Sequence, residues 1–279
     1  MSRVGSSVMT NEQPKSTAGI ERESGDEGRR VFFLYPSRLV EEEILNLLFV
    51  KGYESYAVND HVRMIPLLRM FKGSVLIVNI DFKVAEVDWP NYVKSIVSDE
   101  STKSTLVGVI STQGNPNAFR SFRTDVVLPC GLIDATRGAG EWSEALLRTL
   151  VTVHARGRRQ HLRLRLGGSA QSFNVNFAGT NYTGKLLDIS RLGMAVVFDS
   201  KALFDAQTFF EDIQLRLLGS PIGISGEIVG KRVLDDGTTE YVILFGKNVT
   251  EETSRRVSAF LHASLQKQMD DLMSSLSAK

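Results

Sequence analysis

The chain has 279 residues, of which 42% are hydrophobic and 23% are charged, values close to the average for soluble globular proteins. At about 150 residues per domain, this length predicts roughly two domains. The 33 Lys and Arg nearly balance the 32 Asp and Glu, for a net charge of +1. No global field therefore draws the protein to nucleic acid or to a membrane, and either preference would require a local patch.

Several protein classes are disfavoured by what the sequence lacks. The longest apolar runs, such as Val75 to Val78, are far shorter than the roughly 20 residues that span a bilayer. The first residues have no apolar segment typical of a secretory signal. The single cysteine, Cys130, cannot form an internal disulfide, and four scattered histidines disfavour a structural zinc site. We therefore expect a cytoplasmic protein without a membrane span, a metal or a cofactor.

The N-terminal half divides into a polar segment and an α/β domain. Residues 1–29 have almost no large apolar side chains, which predicts a disordered tail, with a docking peptide as the alternative. Apolar strands then alternate with helices over residues 30–153, which predicts a parallel sheet covered on both faces. The predicted strands are Val31–Tyr35, Tyr56–Val58, Ser74–Ile80, Thr105–Ile110 and Val126–Leu128. The predicted helices are Leu39–Val50, His61–Phe71, Tyr92–Ile96 and Trp142–His154.

The C-terminal half, residues 154–279, has a different pattern. Short β-rich segments follow one another without intervening helices, and Asp235-Asp236-Gly237 is a hairpin signal. These segments are His161–Leu166, Ser172–Phe177, Tyr182–Ile189, Met194–Phe198, Ile213–Leu217, Ile222–Val233 and Thr239–Phe245. Seven such strands predict a small antiparallel β-barrel. Glu251 to Ser275 follows as an amphipathic helix, expected to pack on the barrel, with a partner or dimer helix as the alternative. The fold class is therefore α+β with two domains.

A basic stretch lies where the two predicted domains meet. No acidic residue occurs between Glu144 and Asp188. Four arginines fall within eight residues of this stretch, namely Arg158, Arg159, Arg163 and Arg165. Arginine suits planar, bidentate contact with phosphate, and domain junctions are common ligand sites. Composition alone leaves open an anion or nucleotide site and a solvated linker.

A second motif gives this stretch a specific interpretation. Asp188, Ser190 and Gly193 form a DxSxxG sequence where one predicted strand ends and the next begins. With Arg159 and Arg163 as an RxxxR motif some 25 residues earlier, the chain resembles the PilZ domain family over roughly residues 155–275. The predicted strands at Gly226 to Arg232 and Tyr241 to Phe245, and the closing helix, agree with that family's barrel.

The resemblance implies a bacterial receptor for cyclic di-GMP. Arg159 and Arg163 would pair with phosphate or with the guanine O6/N7 edge, and Asp188 would accept from guanine N1–H and N2–H₂. Ser190 would contribute a hydroxyl and Gly193 space for the ligand. Arg158 would add a cation, and binding of one or two ligand molecules stays open. Arg165 and Lys185 are interpreted as solvated residues at the barrel rim.

The resemblance also implies a mechanism. The arginine segment links the two domains, so its ordering by ligand would change their arrangement and partner binding. No set of catalytic residues stands out, so we expect a receptor and not an enzyme. The alternatives are a PilZ-like adaptor that binds proteins without nucleotide, and direct nucleic-acid binding, which the charge balance disfavours. The family is tied to motility, exopolysaccharide and virulence, and the sequence does not choose among them.

The N-terminal domain is similar to a receiver domain in its βα alternation only. Its first strand ends at Leu34-Tyr35-Pro36-Ser37 without the acidic pair that holds Mg²⁺. Asn79 stands at the phosphoacceptor position, and Asp81 comes two residues late. The fifth predicted strand ends at Leu128-Pro129-Cys130 without a lysine. We therefore expect an interaction domain for a protein partner instead of a phosphorylated receiver, and a Cys130 that is not a nucleophile.

Overall fold

The computed structural model describes residues 28–276 except 85–86, 114–118, 121, 123–126, 137–138, 158–160, 167–170, 201–202 and 218. The predicted tail therefore lies outside the described residues apart from Gly28 and Arg29. The Arg29 backbone N–H donates to the Ala155 carbonyl at 2.8 Å, and its guanidinium donates to the carbonyls of Val153 and Gly73. These bonds join the start of the described chain to the end of the first domain.

The first domain is a five-stranded parallel sheet of order β2-β1-β3-β4-β5 with helices on both faces. Its strands are β1 (Val31–Leu34), β2 (Ser55–Val58), β3 (Val75–Asn79), β4 (Leu106–Ser111) and β5 (Gly131–Asp134). Its helices are a π-helical turn (Val40–Ile44) that leads into α1 (Leu45–Val50), then α2 (His61–Met70), α3 (Trp89–Ser98) and α4 (Ala139–Thr152). The predicted α/β domain is thus confirmed.

The continuous apolar sequence of β1 reflects burial on both faces of the sheet. Val31 and Phe33 belong to the core that also contains Trp142 of α4. Phe32 and Leu34 point the other way, into a second core shared with α2 and α3. A strand with only one buried face would have alternated with polar residues instead.

The prediction for the fifth strand was wrong. Val127 and Leu128 are not in a strand, Val126 lies outside the described residues, and β5 begins at Gly131. Leu128 to Gly131 form a turn in which the Gly131 N–H bonds the Leu128 carbonyl and Gly131 takes a φ of 70°. Pro129 has no N–H to donate to a ladder, and this turn delays the strand until after it. The strand therefore ends at Asp134, followed by Ala135 and Thr136, and not at Cys130.

The second domain is an antiparallel barrel, as predicted. Its strands are β6 (Arg163–Arg165), β7 (Ser172–Phe177), β8 (Thr180–Ser190), β9 (Gly193–Phe198), β10 (Phe209–Leu217), β11 (Ser220–Val233) and β12 (Thr239–Phe245). The ring runs β8-β7-β10-β11-β12-β9 and closes because β9 also pairs with β8. The short β6 pairs with β8 beside this ring. Closure of the barrel removes the exposed sheet edges that could otherwise pair with another chain.

The C-terminal helix α5 (Glu251–Ser275) contacts both domains. Its apolar side, which includes Leu265 and Met269, belongs to one buried cluster that extends from the barrel into the first domain. The Gln266 side-chain amide accepts from the Ala57 N–H at 3.0 Å and donates to the Ala57 carbonyl at 2.9 Å. The predicted barrel packing is therefore confirmed, and the helix also covers the outer edge of β2. Among the described residues, none of the helices has the length and apolarity needed to cross a membrane.

Candidate functional site

The pairing of β6 with β8 brings the two sequence motifs together. Arg163 lies opposite Ser190, and Arg165 lies opposite Asp188. Leu164 lies between the two arginines and is buried. Because side chains alternate between the two faces of a strand, both arginines point outward. The Arg163 Nη1 lies 3.9 Å from the Asp188 Oδ2. Cation and carboxylate are thus adjacent on the barrel surface.

These side chains line a cavity of about 320 Å³ at the junction of the two domains. The barrel side contributes His161, Leu162, Arg163, Arg165, Asp188, Arg232, Glu240 and Val242. The first domain and the connecting segment contribute Gly28, Arg29, Gly52, Glu54, Ala155 and Gly157. Arg165, interpreted from sequence as a rim residue, is exposed and lines this cavity. Lys185 is also exposed, and it is not one of the lining residues.

Ser190 and Gly193 shape the turn between β8 and β9. The Ser190 hydroxyl is buried, donates to the Gly193 carbonyl at 3.2 Å and accepts from the Leu192 N–H at 3.3 Å. A Cβ on Gly193 would lie 2.3 Å from the backbone carbonyl oxygen of Ile243 in β12. Gly193 is therefore required for the close approach of β9 to β12, a structural reason that differs from the predicted role of leaving space for ligand. Both residues also line a second cavity of about 240 Å³ beside Asp188.

Two predicted ligand residues, Arg158 and Arg159, lie outside the described residues. Their described neighbours on either side, Gly157 and His161, both line the cavity at the domain junction. Burial, with contributions from the charges of Arg191 and Arg156, lowers the pKa of His161. A lowered pKa favours the neutral imidazole at neutral pH, which leaves the cationic character of the cavity to its arginines.

Sequence reasoning missed an ion pair in the same cavity. Arg232 of β11 lies opposite Glu240 of β12, and its Nη2 donates to the Glu240 Oε2 at 2.8 Å. The Glu240 side chain is only 7% exposed, whereas that of Arg232 is 70% exposed. The one available signal was a carboxylate next to the apolar run Tyr241 to Phe245, since buried strands rarely contain one.

The two domains also meet at the DxSxxG motif itself. Arg191, the residue after Ser190, donates from Nη1 to the carbonyl of Val50 at 3.3 Å. Val50 is the last residue of α1. The backbone that carries Asp188 and Ser190 is thus linked to the first domain by the side chain of Arg191, one residue after Ser190 and three after Asp188.

The carboxyl ends of β1 and β3 are occupied by structural contacts. The Asn79 side chain donates to the carbonyl of Tyr35 at 2.8 Å. Asp81 accepts from the Ser111 hydroxyl and from the backbone and side chain of Thr112. The Tyr35 ring stacks on Phe82 with centroids 4.4 Å apart. Asn79 and Asp81 therefore connect neighbouring strand ends in this domain.

The Cys130 thiol and clusters of metal-binding side chains are two further possible sources of chemistry. Cys130 is buried, and burial raises the pKa of its thiol to about 11, which keeps it protonated at neutral pH. Within the described ranges, no group of three or more His, Cys, Asp or Glu side chains is arranged to hold a metal ion.

Comparison with known proteins identifies the second domain. A family model described as the PilZ domain matches residues 157–263, and this part of the chain is therefore a PilZ domain. The matched range contains all residues of both predicted motifs, from Arg159 to Gly193. No curated protein matches the chain.

Solved structures that are similar to part of the chain share little of its sequence. The PilZ domain of Escherichia coli YcgR with c-di-GMP is 14% identical, at a TM-score of 0.36, over 43% of this chain and 99% of that one. The K. pneumonia MrkH–c-di-GMP complex is 19% identical, with a TM-score of 0.38, and the match covers 42% of this chain and 57% of that one. The chemotaxis response regulator CheY4 of Vibrio cholerae is 18% identical, with a TM-score of 0.37, and the match covers 45% of this chain and 98% of that one.

Proposed function

We propose that this protein is a receptor for cyclic di-GMP that responds to the ligand by changing how its two domains are arranged. The observation that carries the proposal is the convergence of Arg163 and Asp188 in one cavity of a PilZ domain, at the junction with a second domain. The proposed function needs binding alone and no catalytic step.

The chemistry of the cavity fits a ligand with two phosphates and two guanines. Arg163, with Arg158 and Arg159 from the adjoining motif, supplies guanidinium groups for phosphate or for the O6/N7 edge of guanine. Asp188 supplies acceptors for the N1–H and N2–H₂ donors of guanine, a pair that adenine does not present. Ser190 and Gly193 support this site through the turn that they shape.

The position of the cavity supports the coupling mechanism. Gly52 and Glu54 of the first domain line it together with the arginines of the barrel. A ligand that binds between these walls contacts both domains, so its affinity depends on their separation. The first domain would then pass the change to a protein partner, in motility or in another process that the family regulates.

Calorimetric titration of the purified protein with cyclic di-GMP tests the receptor function. We expect saturable binding, no binding of GTP or cyclic di-AMP at the same concentrations, and at least about tenfold weaker binding in Arg159→Ala, Arg163→Ala and Asp188→Asn, the equivalent of one charge-assisted hydrogen bond. Lys185→Ala, which removes an exposed cation from the same barrel, serves as the charge control. Small-angle scattering with and without ligand measures the domain arrangement.

The alternative is an adaptor that binds proteins without nucleotide. A folded wild-type protein that shows no heat of binding, and no change in scattering at millimolar cyclic di-GMP, would overturn the receptor proposal. The adaptor would then be tested by capture of partners on the immobilised first domain and full chain.

A further inference from the structure

The Arg232–Glu240 pair belongs to neither sequence motif, yet both side chains line the cavity at the domain junction. They come from adjacent strands, β11 and β12, on the wall of the barrel next to Asp188 and Arg163. The hydrogen bond and charge of Glu240, with a smaller contribution from the charge of Asp188, raise the pKa of Arg232. Arg232 is therefore a permanent cation of this site, paired with Glu240.

Burial of Glu240 fixes the position of this cation. The Glu240 side chain is 7% exposed and its Oε2 accepts the Arg232 Nη2 at 2.8 Å. Rotation of Arg232 into solvent would leave a buried carboxylate without that partner, which is costly in a medium that solvates charge poorly. The arginine is thus held over the cavity before any ligand arrives.

The geometry leaves Arg232 able to bind a second group. A guanidinium has five N–H donors, and the bond to Glu240 uses one of them. Its side chain is otherwise largely exposed toward the cavity and solvent. We propose that Arg232 is a further phosphate-binding side chain of the ligand site and that Glu240 is the positioning residue that holds it there. This inference rests on the proposed receptor function.

The charge of Glu240 and its positioning of Arg232 predict opposite effects of one substitution on ligand affinity. Glu240→Gln removes a negative charge beside the site, so simple attraction would make a dianionic ligand bind more tightly. If Glu240 positions Arg232, the substitution removes the ionic contact that holds the arginine. The ligand must then order the Arg232 side chain itself, at a cost in entropy. Positioning therefore predicts weaker binding in Glu240→Gln despite the more positive cavity.

A double-mutant cycle with cyclic di-GMP, followed by calorimetry, separates these contributions. The variants are Arg232→Gln, Glu240→Gln and the pair together, and the pair avoids leaving a buried carboxylate alone. We expect at least about tenfold weaker binding in Arg232→Gln, and several-fold weaker binding in Glu240→Gln. In the Arg232→Gln background, the Glu240→Gln change should cost nothing further. Arg216→Gln on β10, an exposed arginine that does not line this cavity, is the matched control.

The salt dependence gives a readout that altered folding would not produce. Loss of one phosphate-binding cation should lower the slope of log affinity against log salt in Arg232→Gln relative to Arg216→Gln. Wild-type affinity in the folded Arg232→Gln variant, or tighter binding in Glu240→Gln, would overturn the proposal while leaving the receptor function intact. Absence of binding in the wild type would instead overturn the receptor function on which it depends.

Discussion

The contact between Gln266 and the edge of β2 allows a direct test of how the two domains are held together. β2 is the outer strand of the parallel sheet, so one side of its backbone has no strand neighbour. The Gln266 amide occupies that side by bonding both the N–H and the carbonyl of Ala57. Replacement by alanine in Gln266→Ala removes both bonds and leaves the rest of α5 in place.

The expected loss follows from the number and exposure of these bonds. Two hydrogen bonds at about 0.5–1.5 kcal/mol each contribute about 1–3 kcal/mol to the free energy of unfolding. The Ala57 backbone is partly buried, so water replaces the lost partner incompletely. With a denaturant dependence of about 2 kcal/mol per molar urea, the midpoint of unfolding should fall by about 0.5–1.5 M.

Tryptophan fluorescence makes the assay specific to one domain. Both tryptophans of the chain, Trp89 in α3 and Trp142 in α4, are buried in the first domain. Urea unfolding followed by fluorescence therefore reports the first domain, and far-UV circular dichroism reports the whole chain. Lys267→Ala, an exposed position on the same helix, controls for helix propensity. A fluorescence midpoint in Gln266→Ala equal to that of Lys267→Ala would refute the argument that this amide stabilises the first domain.

Two further predictions concern the barrel and the helix. Gly193→Ala should destabilise the protein by about 1–3 kcal/mol in urea unfolding, because the new Cβ would overlap the Ile243 carbonyl oxygen, and unchanged stability would contradict this packing reason. His262 packs against Phe49 with ring centroids 5.7 Å apart, and burial lowers its pKa. The unfolded state therefore binds the proton more readily than the folded state. The free energy of unfolding should be highest above the ordinary His pKa of about 6.5 and should decline as the pH falls below about 6.5. This one group can lower it by at most about 1.4 kcal/mol per pH unit. His262→Leu should flatten that decline, and an identical pH profile in the variant would show that His262 does not cause it.

The predictions from sequence succeeded where a local pattern decides the structure. Continuous apolar runs identified β1 and β3 because parallel strands are buried on both faces, and alternation identified β7 because one of its faces is exposed. The fifth strand was misplaced because apolar residues continue through Pro129, and only the turn ending at Gly131 shows where pairing begins. The spacing of the two motifs also singled out Arg163 and Asp188, which the structure brings together, and their role in ligand binding stays a prediction.

The remaining walls of the cavity could not be predicted in this way. Glu54 precedes the motif arginines by more than 100 residues, and Arg232 follows them by about 70. No periodicity connects such positions, because their proximity arises from the docking of the domains and from the closure of the barrel. Glu54 is also held by Arg30 at 2.7 Å and by the Tyr56 hydroxyl, contacts that depend on tertiary structure.

The structure divides the motif residues into two kinds, and this division changes how their substitutions should be interpreted. Arg163 is exposed on the cavity wall, so loss of its side chain removes a potential ligand contact with little effect on packing. Ser190 and Gly193 are enclosed by the β8–β9 turn and by β12. Substitution there displaces the strand that carries Asp188, so weaker ligand binding would follow even without a direct contact. Binding measured for Ser190→Ala or Gly193→Ala is therefore informative only when compared at matched folded fraction, whereas binding by an Arg163 variant reports the contact itself.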